Sequence, residues 1–158
     1  MQGGDHEVAL KLAAASVAVV ALGGIGLKAM GEDVHKGDAV VHESSKTGKW
    51  VDGPAPGVKM LHLRGDMEKG EHATFTKFVP GADHGWHTHT SDVTLVVLQG
   101  AYVFNDESGK ETRVEAGDYM FIKGGTKHWS GGDAKEGCTF FQESPGKFDL
   151  LKAEAPKK

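Results

Sequence analysis

The chain of 158 residues has one cysteine, Cys138. No disulfide can form within it, and structural zinc sites built from two or more cysteines are excluded. Any metal must rest on histidines and carboxylates. There is no lysine or arginine cluster either: 18 Lys and Arg against 22 Asp and Glu leave a net charge of −4. Nucleic acid binds basic surfaces, so it is excluded as a partner. P-loop, dinucleotide and nucleophile-elbow signatures are absent. After residue 31 no segment keeps a helical period, and no internal repeat is present. The longest uncharged apolar run, "LAAASVAVVALGGIGL" from Leu12 to Leu27, falls short of the roughly 18–20 residues of a membrane span.

That run does fit the apolar region of a secretory signal peptide. Lys11 precedes it and Lys28 follows it, and Ala29-Met30-Gly31 supplies the small residues of a cleavage site. The expectation is a leader over 1–31 and a mature chain starting at Glu32, periplasmic or secreted. Asp5 and Glu7 stand where positive charge is usual. If the run is not a leader, it is a buried N-terminal helix or an uncleaved anchor, and the protein is cytoplasmic.

What the chain has in quantity is glycine, 23 residues, and histidine, 9 residues. Residues 32–57 form a polar segment ending in "DGPAPG", where Pro54 and Pro56 mark a loop. From Lys59 short alternating runs follow one another between glycine turns: "KMLHLRG", "HATFTKFVPG", "GWHTH", "VTLVVLQG", "AYVFN", "YMFIKGG" and "GCTFFQES". Many short strands at close spacing predict an all-β sandwich or barrel over 58–151. "GKFDLL" is read as a last strand, and the tail 152–158 as frayed.

In "GADHGWHTHTSDVTLVVLQG", His87 and His89 are two apart and share a face of a strand. Both imidazoles can aim at one point, as metal ligands do, although a bare pair is equally two solvent-facing histidines. Downstream, "GDYMFIKGGTKHW" places a turn, a strand, a Gly-Gly bend and then His128. If the strand is unbroken, residues 87, 89, 93, 95 and 97 share a face and Asp92 points away. His84 lies in the glycine-rich turn, as a base standing behind the ligands, a fourth ligand or a partly exposed loop histidine. Gln142 alternates with Phe141 and Glu143 and is a candidate to hydrogen-bond a water at the centre from inside the barrel. Trp86 and Trp129 face away from the ligands. His35, His42, His62 and His72 lack ligand spacing, with His62 on the less apolar face of its strand. Tyr102 and Tyr119 are candidate pocket hydroxyls, and Cys138 is a small buried residue.

The two stretches together resemble the paired motifs of the cupins. Gly81, His87, His89 and Gly100 fall at the spacings of the first motif, and Gly117, Gly125 and His128 at those of the second. Lys123 stands in the second motif's proline position and Gly132 in its asparagine position. The resemblance implies a single-domain jelly-roll barrel with a metal in its mouth, held by His87, His89 and His128. The first motif's glutamate is missing: its place falls on Val93, or on Thr94 under the longer spacing. Three neutral imidazoles leave the metal's charge uncompensated, which favours an anionic, chelating ligand such as an enolate. Cupins with such sites include acetylacetone-, gentisate- and thiol-dioxygenase types, so the resemblance implies a non-haem Fe(II) dioxygenase-like enzyme for a small organic substrate. Zn, Mn, Ni and Cu are alternative metals. The alternative function is a non-catalytic module that binds or senses a metal or small molecule. A homodimer through edge strands is also expected.

Overall fold

The computed structural model describes residues 35–157. The leader expected at 1–31 lies outside them. Among the described residues no helix is long and apolar enough to cross a membrane.

Ten strands follow one another: β1 (Val51–Asp52), β2 (Val58–Gly65), β3 (His72–Phe78), β4 (Asp83–Thr88), β5 (Val93–Asn105), β6 (Glu111–Glu115), β7 (Tyr119–Ile122), β8 (His128–Gly132), β9 (Cys138–Ser144) and β10 (Leu151–Lys152). All pairings are antiparallel, so alternation along each strand sets one face inward. The front sheet runs β1-β2-β3-β9-β5-β7, and the back sheet β6-β5-β8-β4-β10. They share β5, whose first half pairs β9 and β7 and whose second half pairs β6 and β8. This is the curled jelly roll the sequence implied.

The long strand passes from one sheet to the other at Gly100. The register slips between Val97 and Gln99, and Gly100 has φ +68°. A Cβ there would lie 2.2 Å from the Gly137 carbonyl oxygen, so only glycine allows the bend. The inner faces of the two sheets close over Val58, Met60, Phe78, Leu95, Val97 and Phe140.

One condition does not hold, and two expectations are corrected. His87 and His89 do not continue one strand with Val93. β4 ends at Thr88 in the back sheet and β5 begins at Val93 in the front sheet. His87 and His89 at the end of β4 and Val93, Leu95 and Val97 in the first half of β5 nevertheless all face inward. His62 faces inward, not outward. It aligns with the wholly buried Thr74, which aligns in turn with Gln142. Lys152 does not fray: β10 pairs with Thr88 and His87 of β4, and the Ala153 amide donates to the Trp86 carbonyl at 2.8 Å.

Candidate metal centre

His87 sits on β4 and His128 on β8, directly opposite each other in the register. His89 follows at the end of β4, in the turn that leads to β5. One ligand nitrogen from each lies within 4.8 Å of the others. The ring centroids of His87 and His128 are 4.3 Å apart, and those of His87 and His89 are 5.0 Å apart. The sequence pattern therefore brings together the three residues it named.

Each ring is aimed by its other nitrogen. His87 Nδ1 donates to the Gly85 carbonyl at 2.8 Å and His128 Nδ1 to the Thr126 carbonyl at 2.9 Å. His89 Nδ1 donates to the Asp149 carbonyl. A carbonyl oxygen only accepts, so Nδ1 carries the proton in all three, and each Nε2 keeps a lone pair. Phe104 stacks on the His128 ring, 5.1 Å between centroids and 18° between planes. Burial holds His87 at a pKa of about 4, and it pushes His84, His89 and His128 below their ordinary value as well. Neutral imidazole is the form a metal takes.

The two motifs are tied together by their turns. The Gly125 amide donates to the His89 carbonyl at 2.8 Å. Asp92 Oδ1 accepts from the Gly124 amide at 2.7 Å, which employs Asp92 as a turn cap and keeps it off the histidines. A Cβ on Gly124 would lie 2.4 Å from the Thr90 carbonyl oxygen, so this crossing also requires glycine. Val93, 5% exposed, lines the cavity beside His87 and His89. No carboxylate replaces it: among the described residues the inner cavity is lined by no Asp, Glu, Lys or Arg.

A divalent cation fits this donor set. His128 Nε2 is fully buried and without a hydrogen-bond partner, a lone pair that would otherwise cost about 1–3 kcal/mol to leave unpaired. Two further orphaned atoms belong to residues that line the inner cavity beside it, His84 Nε2 and Gln142 Nε2. His84 lies outside the three-histidine group, half-buried at the start of β4 with its ring 4.2 Å from that of Phe78. Tyr102 also lines the cavity, where burial raises its phenol pKa and Ser130 shares a hydrogen bond with it. Tyr119 is 64% exposed on the outer side. Trp86 and Trp129 face each other off the cavity, and Trp129 Nε1 donates to Asp83 at 2.6 Å. Burial pushes the Cys138 thiol up to about 12, so it is no nucleophile.

Sequence reasoning missed the rest of the wall. Pro54 and Ala55, from the segment read as a polar loop before the barrel, line the cavity, and so do Phe148 and Leu150. The inner cavity has a volume of about 40 Å³. It opens past His84, Phe148 and Leu150 into a vestibule of about 560 Å³ bordered by Asp83, Asp149 and Lys152. Pro-Ala-Pro marks a turn, but nothing in that spacing shows which way the turn leans.

Residues 36–145 match the family model described as ChrR Cupin-like domain. The chain belongs to the cupins. Among curated proteins, this cupin is 39% identical over 54 residues to an (R)-mandelonitrile lyase of Granulicella tundricola, covering 34% of the chain and 41% of that enzyme. It thus spans less than half of that relative. Among solved structures it superposes on the polyketide cyclase RemF of Streptomyces resistomycificus with a TM-score of 0.60 and 18% identity, over 74% of this chain and 89% of that one. It also superposes on a salicylate 1,2-dioxygenase of Pseudoaminobacter salicylatoxidans with a TM-score of 0.51 and 16% identity, over 65% of this chain and 32% of that one. At these identities the superpositions show a shared fold.

Proposed function

We propose that this cupin is a metal-dependent enzyme for a small organic anion, with His87, His89 and His128 holding a divalent metal and Fe(II) the favoured ion. The observation that carries the reading is the set of three Nε2 lone pairs, each ring fixed by a main-chain acceptor, converging beside a cavity with no charged lining among the described residues. When bound, the metal supplies Lewis acidity and, as Fe(II), reactivity toward dioxygen. The chain's own residues contribute position and exclusion. Val93, Ile122 and Phe148 keep the cavity apolar, and the absence of a carboxylate leaves the metal's positive charge to be balanced by the ligand. An enolate of a β-diketone meets that need and favours a dioxygenase-like reaction.

A second reading is supported by the mandelonitrile lyase relative. Removing the hydroxyl proton of a cyanohydrin gives an alkoxide, also a small oxyanion, which expels cyanide to leave an aldehyde; His84, with its unpaired Nε2 bordering the cavity, is placed to take that proton and return it to the cyanide. The test compares the full chain loaded with Fe(II) or Mn(II) in two assays. Oxygen uptake with a β-diketone, a catechol or a thiol supports the oxygenase, and benzaldehyde release from mandelonitrile supports the lyase. A chain that binds metal and small anions but is inert in both is a binding or sensing module.

Export and dimerisation belong to the same proposal. The uncharged run at 12–27 supports a leader, and N-terminal sequencing of exported protein should start at Glu32. β7 pairs only with β5, and it exposes Tyr119 and Phe121. Its free edge supports a dimer, which Tyr119→Lys should shift toward monomer in sedimentation.

A further inference from the structure

Gln142 stands out among the groups that border the cavity. It comes from β9 in the front sheet, so it faces the histidines of β4 and β8 from the opposite wall. Its register partner on β5 is Leu95, two residues beyond Val93 on the same face. It is 7% exposed, and its Nε2 is buried with no acceptor. Neighbouring hydroxyls do not serve it as partners: Thr74 and Thr76 pair with each other at 3.0 Å, and Ser130 is engaged by Tyr102. A primary amide is a polar group that folding normally pairs, and this one lines a cavity together with Val93, Ile122, Phe148 and Met60 while its N–H is unmet.

We propose that Gln142 is the recognition residue for the cavity's ligand: its amide N–H donates to the outer oxygen of a small oxyanion, a carboxylate or enolate, drawn to the three-histidine centre. This rests on the metal reading above and adds the residue that recognises the anion. The requirement is for two oxygens on one small anion. One oxygen is attracted by the metal's uncompensated charge, and the other finds the unpaired amide donor of Gln142 on the facing wall. The inner volume of about 40 Å³ admits a ligand head of that size, while the larger remainder of a substrate would extend past His84 and Phe148 into the vestibule.

The test uses the full chain loaded with Co(II), whose visible bands respond to ligands, titrated with acetate and separately with chloride, which has no second atom. Loading is measured first, in wild type, Gln142→Leu and Gln142→Glu. All three are expected to take up about one Co(II) per chain. Gln142→Leu is expected to weaken acetate binding about tenfold, as loss of a hydrogen bond to a charged acceptor does, and to leave chloride binding within about twofold. Gln142→Glu, with a like charge facing the anion, should abolish acetate binding. Unchanged acetate affinity in a Co(II)-loaded Gln142→Leu overturns this inference alone. A wild-type chain that takes up no Co(II) overturns the metal reading and this inference with it.

Discussion

Val93 occupies the place where a cupin's first motif carries its glutamate, and its side chain lies in the cavity wall next to His87 and His89. A valine there would offer a bound metal no charge, and it gives the cavity an apolar face. Val93→Glu buries a carboxylate. Without metal it should lower stability by about 3 kcal/mol, the cost of an unpaired buried charge, and with metal it should recover most of that loss while binding the ion more tightly. Denaturant melts with and without a chelator read both halves; a variant equally stable in both conditions would place Val93 away from the metal. Asp92, one residue earlier, has the opposite fate. Its carboxylate caps the Gly124 amide at 2.7 Å, so Asp92→Ala should cost about 1 kcal/mol and loosen the turn behind His89. The three-histidine cluster was legible in the sequence because alternation and two glycine-framed motifs single out its members. Gln142 was legible only as a face of a strand, since alternation says which residues point inward but not which inward amide is left without a partner. His62 was misplaced because leucines on both sides of it suggested the opposite face, while its inward side is set by pairing with Thr74.

At the scale of elements, the segment from Phe148 to Ala153 acts as a strap on the histidine strand. Its Asp149 carbonyl orients His89 across 60 residues of sequence. The Asp149 carboxylate accepts from the Thr90 amide at 2.8 Å and the Thr90 hydroxyl at 2.5 Å, β10 zips onto β4, and Phe148 faces His89 at 5.5 Å. A main-chain acceptor has no residue signature, which is why the spacing that revealed the ligands was silent about the group that aims one of them. Asp149→Ala should release the strap and weaken metal binding about tenfold, as loss of the groups that orient ligands does, with the circular dichroism of the barrel unchanged. Affinity equal to wild type would mean the carbonyl keeps its place without the side chain. The bend of β5 makes a second test. Gly100→Ala forces a Cβ against the Gly137 carbonyl at a positive φ and should cost about 2 kcal/mol or more in chemical denaturation.

At the scale of the whole molecule, the fold is a jelly roll built around a polar centre, and its stability should carry that centre's mark. Burial lowers the pKa of His62, His84, His87, His89 and His128 in the folded chain. Between the ordinary histidine value near 6.5 and the lowered ones, the unfolded chain binds more protons than the folded one. Metal-free protein should therefore be most stable above about pH 6.5 and lose stability steadily as the pH falls toward 4, where His87 titrates. Thermal melts across that range check the sign; a flat profile would mean these rings are solvated. Metal binding competes with the same protons and should shift the whole curve to lower pH. The central claim, that His87, His89 and His128 hold one divalent metal, is tested most directly by elemental analysis of full-length protein purified without an affinity tag, beside His128→Ala. About one divalent metal per wild-type chain and essentially none in the variant is the expected result. No metal in wild type, or an undiminished content in His128→Ala, would contradict it.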